Sequence, residues 1–135
     1  MATRLNPYIS FDGQARQAME FYQSVFGGEL KMSTFGEFGM QDTPQADQIM
    51  HAQLETEAGY TIMASDTPPG VQYRAGSRIT VSLSGDEEKL REYFAALAEG
   101  GEVGTPLEKQ MWGDEYGDLV DRFGVNWMVN LGGLG

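Results

Sequence analysis

The sequence predicts an α+β fold: two βαβββ modules forming a cleft of curved mixed sheets, with the helices on the outer faces. Three observations predict it. First, residues 9–30 and 81–103 are two versions of one segment, with Ile9-Ser10-Phe11 matching Val81-Ser82-Leu83, Glu20-Phe21-Tyr22 matching Glu92-Tyr93-Phe94, and Gly27-Gly28-Glu29-Leu30 matching Gly100-Gly101-Glu102-Val103. A repeat on this scale sets the architecture before any motif is weighed. Second, each copy passes from a short alternating strand to an amphipathic helix that leaves through Gly-Gly into a new strand. Third, the turns at Gly59 and Gly124 align, which pairs His51 with Tyr116 and Met63 with Met128.

Each element follows from its pattern. Residues 4–11 alternate, with Leu5, Ile9 and Phe11 on one side and Asn6, Tyr8 and Ser10 on the other, which predicts a half-buried strand. Residues 14–26 place Ala15, Ala18, Met19, Tyr22 and Val25 at helical spacing, and Gly27-Gly28 ends the helix. Residues 29–35 form the second strand, and 36–47 read as a loop rich in Gly, Pro, Asp and Gln. Residues 49–55 alternate again, with Met50, Ala52 and Leu54 against His51, Gln53 and Glu55. Gly59 turns the chain into a strand at 60–65. The 135 residues suit one domain, with module 1 at 4–66, a linker at 67–76 that holds Pro68-Pro69-Gly70, and module 2 at 77–131.

Module 2 opens with a strand at 78–83, its apolar side being Ile79, Val81 and Leu83. A helix at 86–98 buries Leu90, Tyr93, Phe94 and Leu97, and Asp86 is placed to cap its start. Strands follow at 102–109, 116–121 and 126–131, with a Trp112-bearing loop at 110–115 and a turn at 122–124. The alternation puts Ile9, Phe11, Ile62, Ile79, Val81, Leu83, Trp127 and Val129 beneath the helices. Asn6, Tyr8, His51, Met63, Arg78, Tyr116 and Met128 lie on the other face, with Gln53, Asp118 and Asn130. That set is too polar for a core and too apolar for a plain solvent face, so it is expected to line a ligand pocket.

Composition narrows the function. Hydrophobic residues make up 41% and aromatics 11%, enough for a packed interior. The net charge of −11 repels nucleic acid and anionic membrane surfaces, although the same acidity also serves solubility. There is no apolar run long enough to span a bilayer and no signal-peptide stretch, so a cytoplasmic protein is expected. With no cysteine, disulfides, thiolate ligands and thiol catalysis are out of reach. No nucleophile-elbow pattern supports hydrolase chemistry.

Four residues carry the site reading. His51 is the only histidine, so no His cluster exists; it acts as a general base, contacts a ligand or bonds a neighbouring strand. Arg78 on the pocket face asks for an anionic ligand group, or else for Asp118 or Glu55 as an internal partner. Trp112 stacks on a planar ligand or closes the core edge. Tyr116 joins them, and Met63 and Met128 give the pocket a soft, adaptable floor that also suits plain core filling.

The modules resemble the vicinal-oxygen-chelate superfamily, which contains glyoxalase I, extradiol dioxygenases and the bleomycin- and fosfomycin-resistance proteins. Within it the chain is most similar to the PhnB-like branch. The residues that carry this are L-N-P-Y-I-S-F-D-G at 5–13, A-M-E-F-Y-Q-S-V-F-G-G-E at 18–29, M-H-A-Q-L at 50–54, W-G-D-E-Y-G at 112–117 and D-R-F-G-V-N-W-M at 121–128. Carried over from the superfamily's metalloenzymes, the ligand places fall at Asn6, Met63, Arg78 and Met128. Thioethers and a guanidinium do not hold a hard divalent cation, so neither metal nor cofactor is expected. Val125 stands where F-G-H is frequent in PhnB-like chains. Such sequences have been labelled ubiquinone-pathway methyltransferases, but no Gly-rich strand-turn-helix for S-adenosylmethionine is present. The resemblance therefore implies a metal-free protein that holds a small organic ligand, anionic or planar, between its modules as a homodimer. The alternative is a metal-dependent lyase, isomerase or dioxygenase of the same superfamily.

Overall fold

The computed structural model describes residues 5–39, 41–68, 73, 76, 79–110 and 113–132. The chain divides into two compact units, Met1–Ala75 and Gly76–Gly135. Among the described residues no helix is long and apolar enough to cross a membrane.

In the first unit, β1 (Tyr8–Phe11), α1 (Ala15–Phe26), β2 (Glu29–Thr34), β3 (Ile49–Glu55) and β4 (Thr61–Asp66) follow in order. Their sheet runs β1-β4-β3-β2. β1 is parallel to β4, and the other pairs are antiparallel. α1 buries Ala15, Ala18, Met19, Tyr22 and Phe26 against one sheet face. That face presents Phe11, Ala52, Leu54, Ile62 and Ala64, all buried.

Several expectations are corrected here. Leu5 is 102% exposed, because the strand starts only at Tyr8; Pro7 precedes it, and Pro7 contributes only its carbonyl to Met63 N. Phe26, not Val25, completes the α1 stripe. Ile49 is buried and Met50 only half-buried. A bulge explains this: Ser33 pairs with His51 but Thr34 pairs with Ile49, so Met50 is an extra residue and the faces swap below it.

The second unit repeats the plan with β5 (Val81–Gly85), α2 (Lys89–Ala98), β6 (Glu102–Lys109), β7 (Glu115–Val120) and β8 (Asn126–Leu131). The sheet runs β5-β8-β7-β6, again with its first and last strands parallel. Leu90, Tyr93, Phe94 and Leu97 of α2 are buried, as are Leu83, Leu119, Trp127, Val129 and Leu131 of the sheet. Ile79, expected beneath the helix, is 81% exposed and precedes the strand. Asp86 is not the cap; Glu88 holds that position and makes no side-chain cap bond.

These misses share one cause. Met63 and Met128 match in the repeat, yet Met63 pairs with Tyr8 and Met128 with Ser82. The structural counterpart of Tyr8 is therefore Ser82, two positions beyond the Thr80 that the sequence repeat assigns to it. β5 accordingly runs through Gly85, and α2 is shorter, with 10 residues against 12 in α1. A slip of two preserves which side chains share a face, so the repeat kept its facing while changing register.

The module corners repeat closely. In the β3–β4 turn Thr56 N donates to Tyr60 O, and Tyr60 N donates to Thr56 Oγ1. In the β7–β8 turn Asp121 N donates to Val125 O, and Val125 N donates to Asp121 Oδ1. Gln14 gives α1 no side-chain cap. Buried Asp66 substitutes for it: Oδ1 accepts from Ala15 N and Oδ2 from Ile49 N, each at 2.9 Å. The last strand thus caps the first helix.

Candidate functional site

Each sheet has one face under its helix and one free of it. On the free face of the first unit the register sets Tyr8 beside Met63 and Met63 beside Gln53. Tyr8 reaches over β4 to β3, where its hydroxyl lies 3.3 Å from His51 Nδ1. The two rings are 5.9 Å apart, tilted by 37°. Lower on the face, the Glu55 carboxylate accepts from Gln53 Nε2 and Thr61 Oγ1. Asn6 lies outside β1, and its amide donates to Pro7 O at 3.0 Å. The position beside Met63 on β1 therefore belongs to Tyr8.

On the free face of the second unit Ser82, Met128 and Asp118 form one row, and Ser84, Asn130 and Tyr116 the next. Asp118 accepts from Tyr116 OH through Oδ2 and from Thr105 N through Oδ1, both at 3.0 Å. Buried Asp114 accepts from Asn130 Nδ2 at 2.9 Å, which fixes that amide. A depression of about 360 Å³ opens here, with Thr80, Glu102, Tyr116, Asp118, Asn126 and Met128 in its wall. The period-2 alternation had put Asp118 and Asn130 on this face. The bonds from Asp118 to Thr105 and from Asp114 to Asn130 had no sequence signal, since they depend on where β6 and the β7 entry fall.

Arg78 and Trp112 lie outside the described residues. The structure brings Tyr8, His51 and Met63 together in one unit, and Tyr116 and Met128 in the other.

Burial, and then the bond to Asp118, raise the Tyr116 phenol above its ordinary value of 10.0. Both causes favour the protonated form in the folded state. The associated stability is intact below the unfolded tyrosine range and is lost as pH rises through the folded value. Spectrophotometric titration should show late tyrosine ionisation, and Tyr116→Phe should reduce its amplitude by one residue. A titration curve unchanged in the variant would contradict the assignment.

The donor set tests the metal that the superfamily's enzymes imply. At the paired strand positions stand Tyr8 with Met63 and Ser82 with Met128. Two thioethers, a phenol and an alcohol do not suit a hard or borderline dication. Among the described residues no three His, Cys, Asp or Glu side chains gather as a metal-holding group. S-adenosylmethionine fares no better. Asp66 already fills the start of α1, and acidic Asp86, Glu87 and Glu88 precede α2.

Two βαβββ units, each a mixed sheet with a helix on one face, define the vicinal-oxygen-chelate fold. The crystal structure of the fosfomycin resistance protein FosX from Listeria monocytogenes, complexed with Mn(II) and sulfate, shares it at a TM-score of 0.63 and 15% identity, over 99% of this chain and 95% of that one. The chain belongs to the PhnB-like family described as 3-demethylubiquinone-9 3-methyltransferase, whose profile matches residues 3–130. The Escherichia coli protein YjdN is 32% identical, with 94% of each chain covered. PA1353 from Pseudomonas aeruginosa is 37% identical at a TM-score of 0.85, over 96% of this chain and 98% of that one. A Bacillus cereus PhnB protein, a putative 3-demethylubiquinone-9 3-methyltransferase, is 22% identical at a TM-score of 0.72, over 96% of this chain and 100% of that one.

Proposed function

We propose that the chain is a cytoplasmic, metal-free small-molecule-binding protein of the glyoxalase and bleomycin-resistance fold. It holds a small organic ligand against the helix-free sheet faces of its modules. The observation that carries this is a methionine on the last strand of each module, Met63 beside Tyr8 and Met128 beside Ser82, at two of the four places to which the resemblance assigns metal ligands. Methionine sulfur is polarizable and adaptable, so it suits apolar ligand surface better than a dication. Arg78 and Trp112 make an anionic or planar molecule the class to seek. Methyl transfer lacks support, because neither strand-turn-helix offers an open cradle for the methyl donor.

Native mass spectrometry of untagged protein should show a small organic adduct. Elemental analysis after incubation with zinc, nickel or manganese should show no stoichiometric ion. One tightly held ion per chain, lost on mutating His51, would overturn the reading. It would favour instead a metal-dependent lyase, isomerase or dioxygenase, the reading to which the Mn(II) complex of FosX lends weight.

The binding form is a homodimer. Each sheet leaves two edge strands, β1 and β2 in the first and β5 and β6 in the second, without a second neighbour in its own unit, and such edges associate unless covered. Light scattering at micromolar concentration should give twice the 14.9 kDa chain mass. A strict monomer contradicts it.

A further inference from the structure

The Tyr8–His51 pair says more about the ligand than the pocket does. His51 is the sole histidine, half-buried on β3, and Tyr8 is 52% exposed on β1. Their contact, at 3.3 Å, joins two strands that are not neighbours in the sheet. A phenol is the better proton donor of the two, and an unprotonated imidazole nitrogen is the better acceptor. Tyr8 O–H therefore donates to Nδ1, which leaves the ring proton on Nε2. Among the described residues nothing accepts from Nε2. The one carboxylate on this face of β3, Glu55, is already bonded by Gln53 and Thr61. What surrounds His51 on this face is Ser33, Ser65, Gln53 and Met63, none of them charged.

We infer that Tyr8 is a positioning residue that holds His51 as its Nε2–H tautomer, and that the first module thereby recognises an oxygen acceptor, a carboxylate or carbonyl, on the ligand. The inference rests on the binding reading above and narrows its ligand class. The Ser33 and Ser65 hydroxyls admit either polarity of hydrogen bond, but Nε2–H can only donate, so the direction of that contact is set.

The single imidazole makes the test clean. Nitrogen NMR of the full-length protein, recorded above the imidazole's titration range, should show Nδ1 unprotonated and Nε2 protonated. In Tyr8→Phe both resonances should move toward the mixture found for free histidine. Benzoate serves as the acceptor probe and benzylamine, with the same ring, as the donor-only control. Millimolar benzoate should shift the His51 ring signals, and benzylamine should leave them in place. His51→Phe should weaken benzoate about tenfold or more, the scale of one charge-assisted hydrogen bond. A protonated Nδ1 in the native protein overturns the inference, as do unchanged shifts in Tyr8→Phe. Benzylamine matching benzoate, or benzoate producing no shift, overturns the ligand class. These outcomes leave the metal-free reading intact, whereas a bound stoichiometric metal overturns that reading and leaves the tautomer as measured.

Discussion

Gly28→Ala should cost about 3–5 kcal/mol of folding stability. Gly28 has φ +104°, a conformation that an L side chain rarely adopts. An added Cβ would also overlap the Glu55 carbonyl oxygen and lie 2.7 Å from Thr56 Cα. Both obstacles are backbone, so no rotamer change relieves them. For a chain of this length the loss corresponds to a melting temperature lower by roughly 10–15 °C. Gly39→Ala is the control: its φ is +97°, but a Cβ there meets nothing within 4 Å. It should show the conformational cost alone, about 1–2 kcal/mol. Equal losses at the two positions, measured by denaturant unfolding, would refute the close-approach argument.

Asp121→Ala should be comparably severe, about 3–5 kcal/mol, through orphaned donors rather than overlap. Asp121 is 3% exposed. Its Oδ1 accepts from Phe123 N at 2.9 Å and Val125 N at 3.0 Å, and its Oδ2 from Trp127 Nε1 at 2.9 Å. Trp127 is 1% exposed, so its indole N–H has no water to turn to. Asp121→Asn keeps one oxygen for the turn but sets an amide N–H against the indole. It should therefore lose less, about 1–3 kcal/mol. The tryptophan environment reports on this directly: near-UV circular dichroism should change in both variants. Wild-type stability in Asp121→Ala would sink the account.

Much of this was legible in the sequence, and the illegible parts have a common physics. Helices and strands were legible because burial imposes a period: Ala15, Ala18, Met19 and Tyr22 at helical spacing, Leu119 against Asp118 by alternation. Gly27-Gly28 and Gly100-Gly101 were legible as exits: Gly27 and Gly100 turn at positive φ, and Gly28 and Gly101 pass too close to backbone for a side chain. Register was not legible. The two-residue slide of β5 is silent in an alternating pattern, and it moved both the Ile79 and the Asp86 assignments. The bulge at Met50 was hidden for the same reason: neighbouring apolar residues at 49 and 50 do not announce which one is extra. In the candidate site, the faces of Tyr8, His51, Met63, Tyr116 and Met128 followed from alternation. The bond from Tyr8 to His51 did not, because it crosses an intervening strand whose place in the sheet is set by topology.

The capping of α1 by Asp66 has a consequence for how the protein is made. On the ribosome, residue 15 emerges long before residue 66. Until β4 arrives, the first helix has no carboxylate at its start and β1 has no strand beside it. The second unit repeats the dependence, since β5 pairs only with β8, its last strand. Each module therefore completes its fold only on its final strand, and a nascent chain interrupted at β3 or β7 leaves its opening strand unpaired. Such fragments are substrates for chaperones and proteases rather than smaller working proteins.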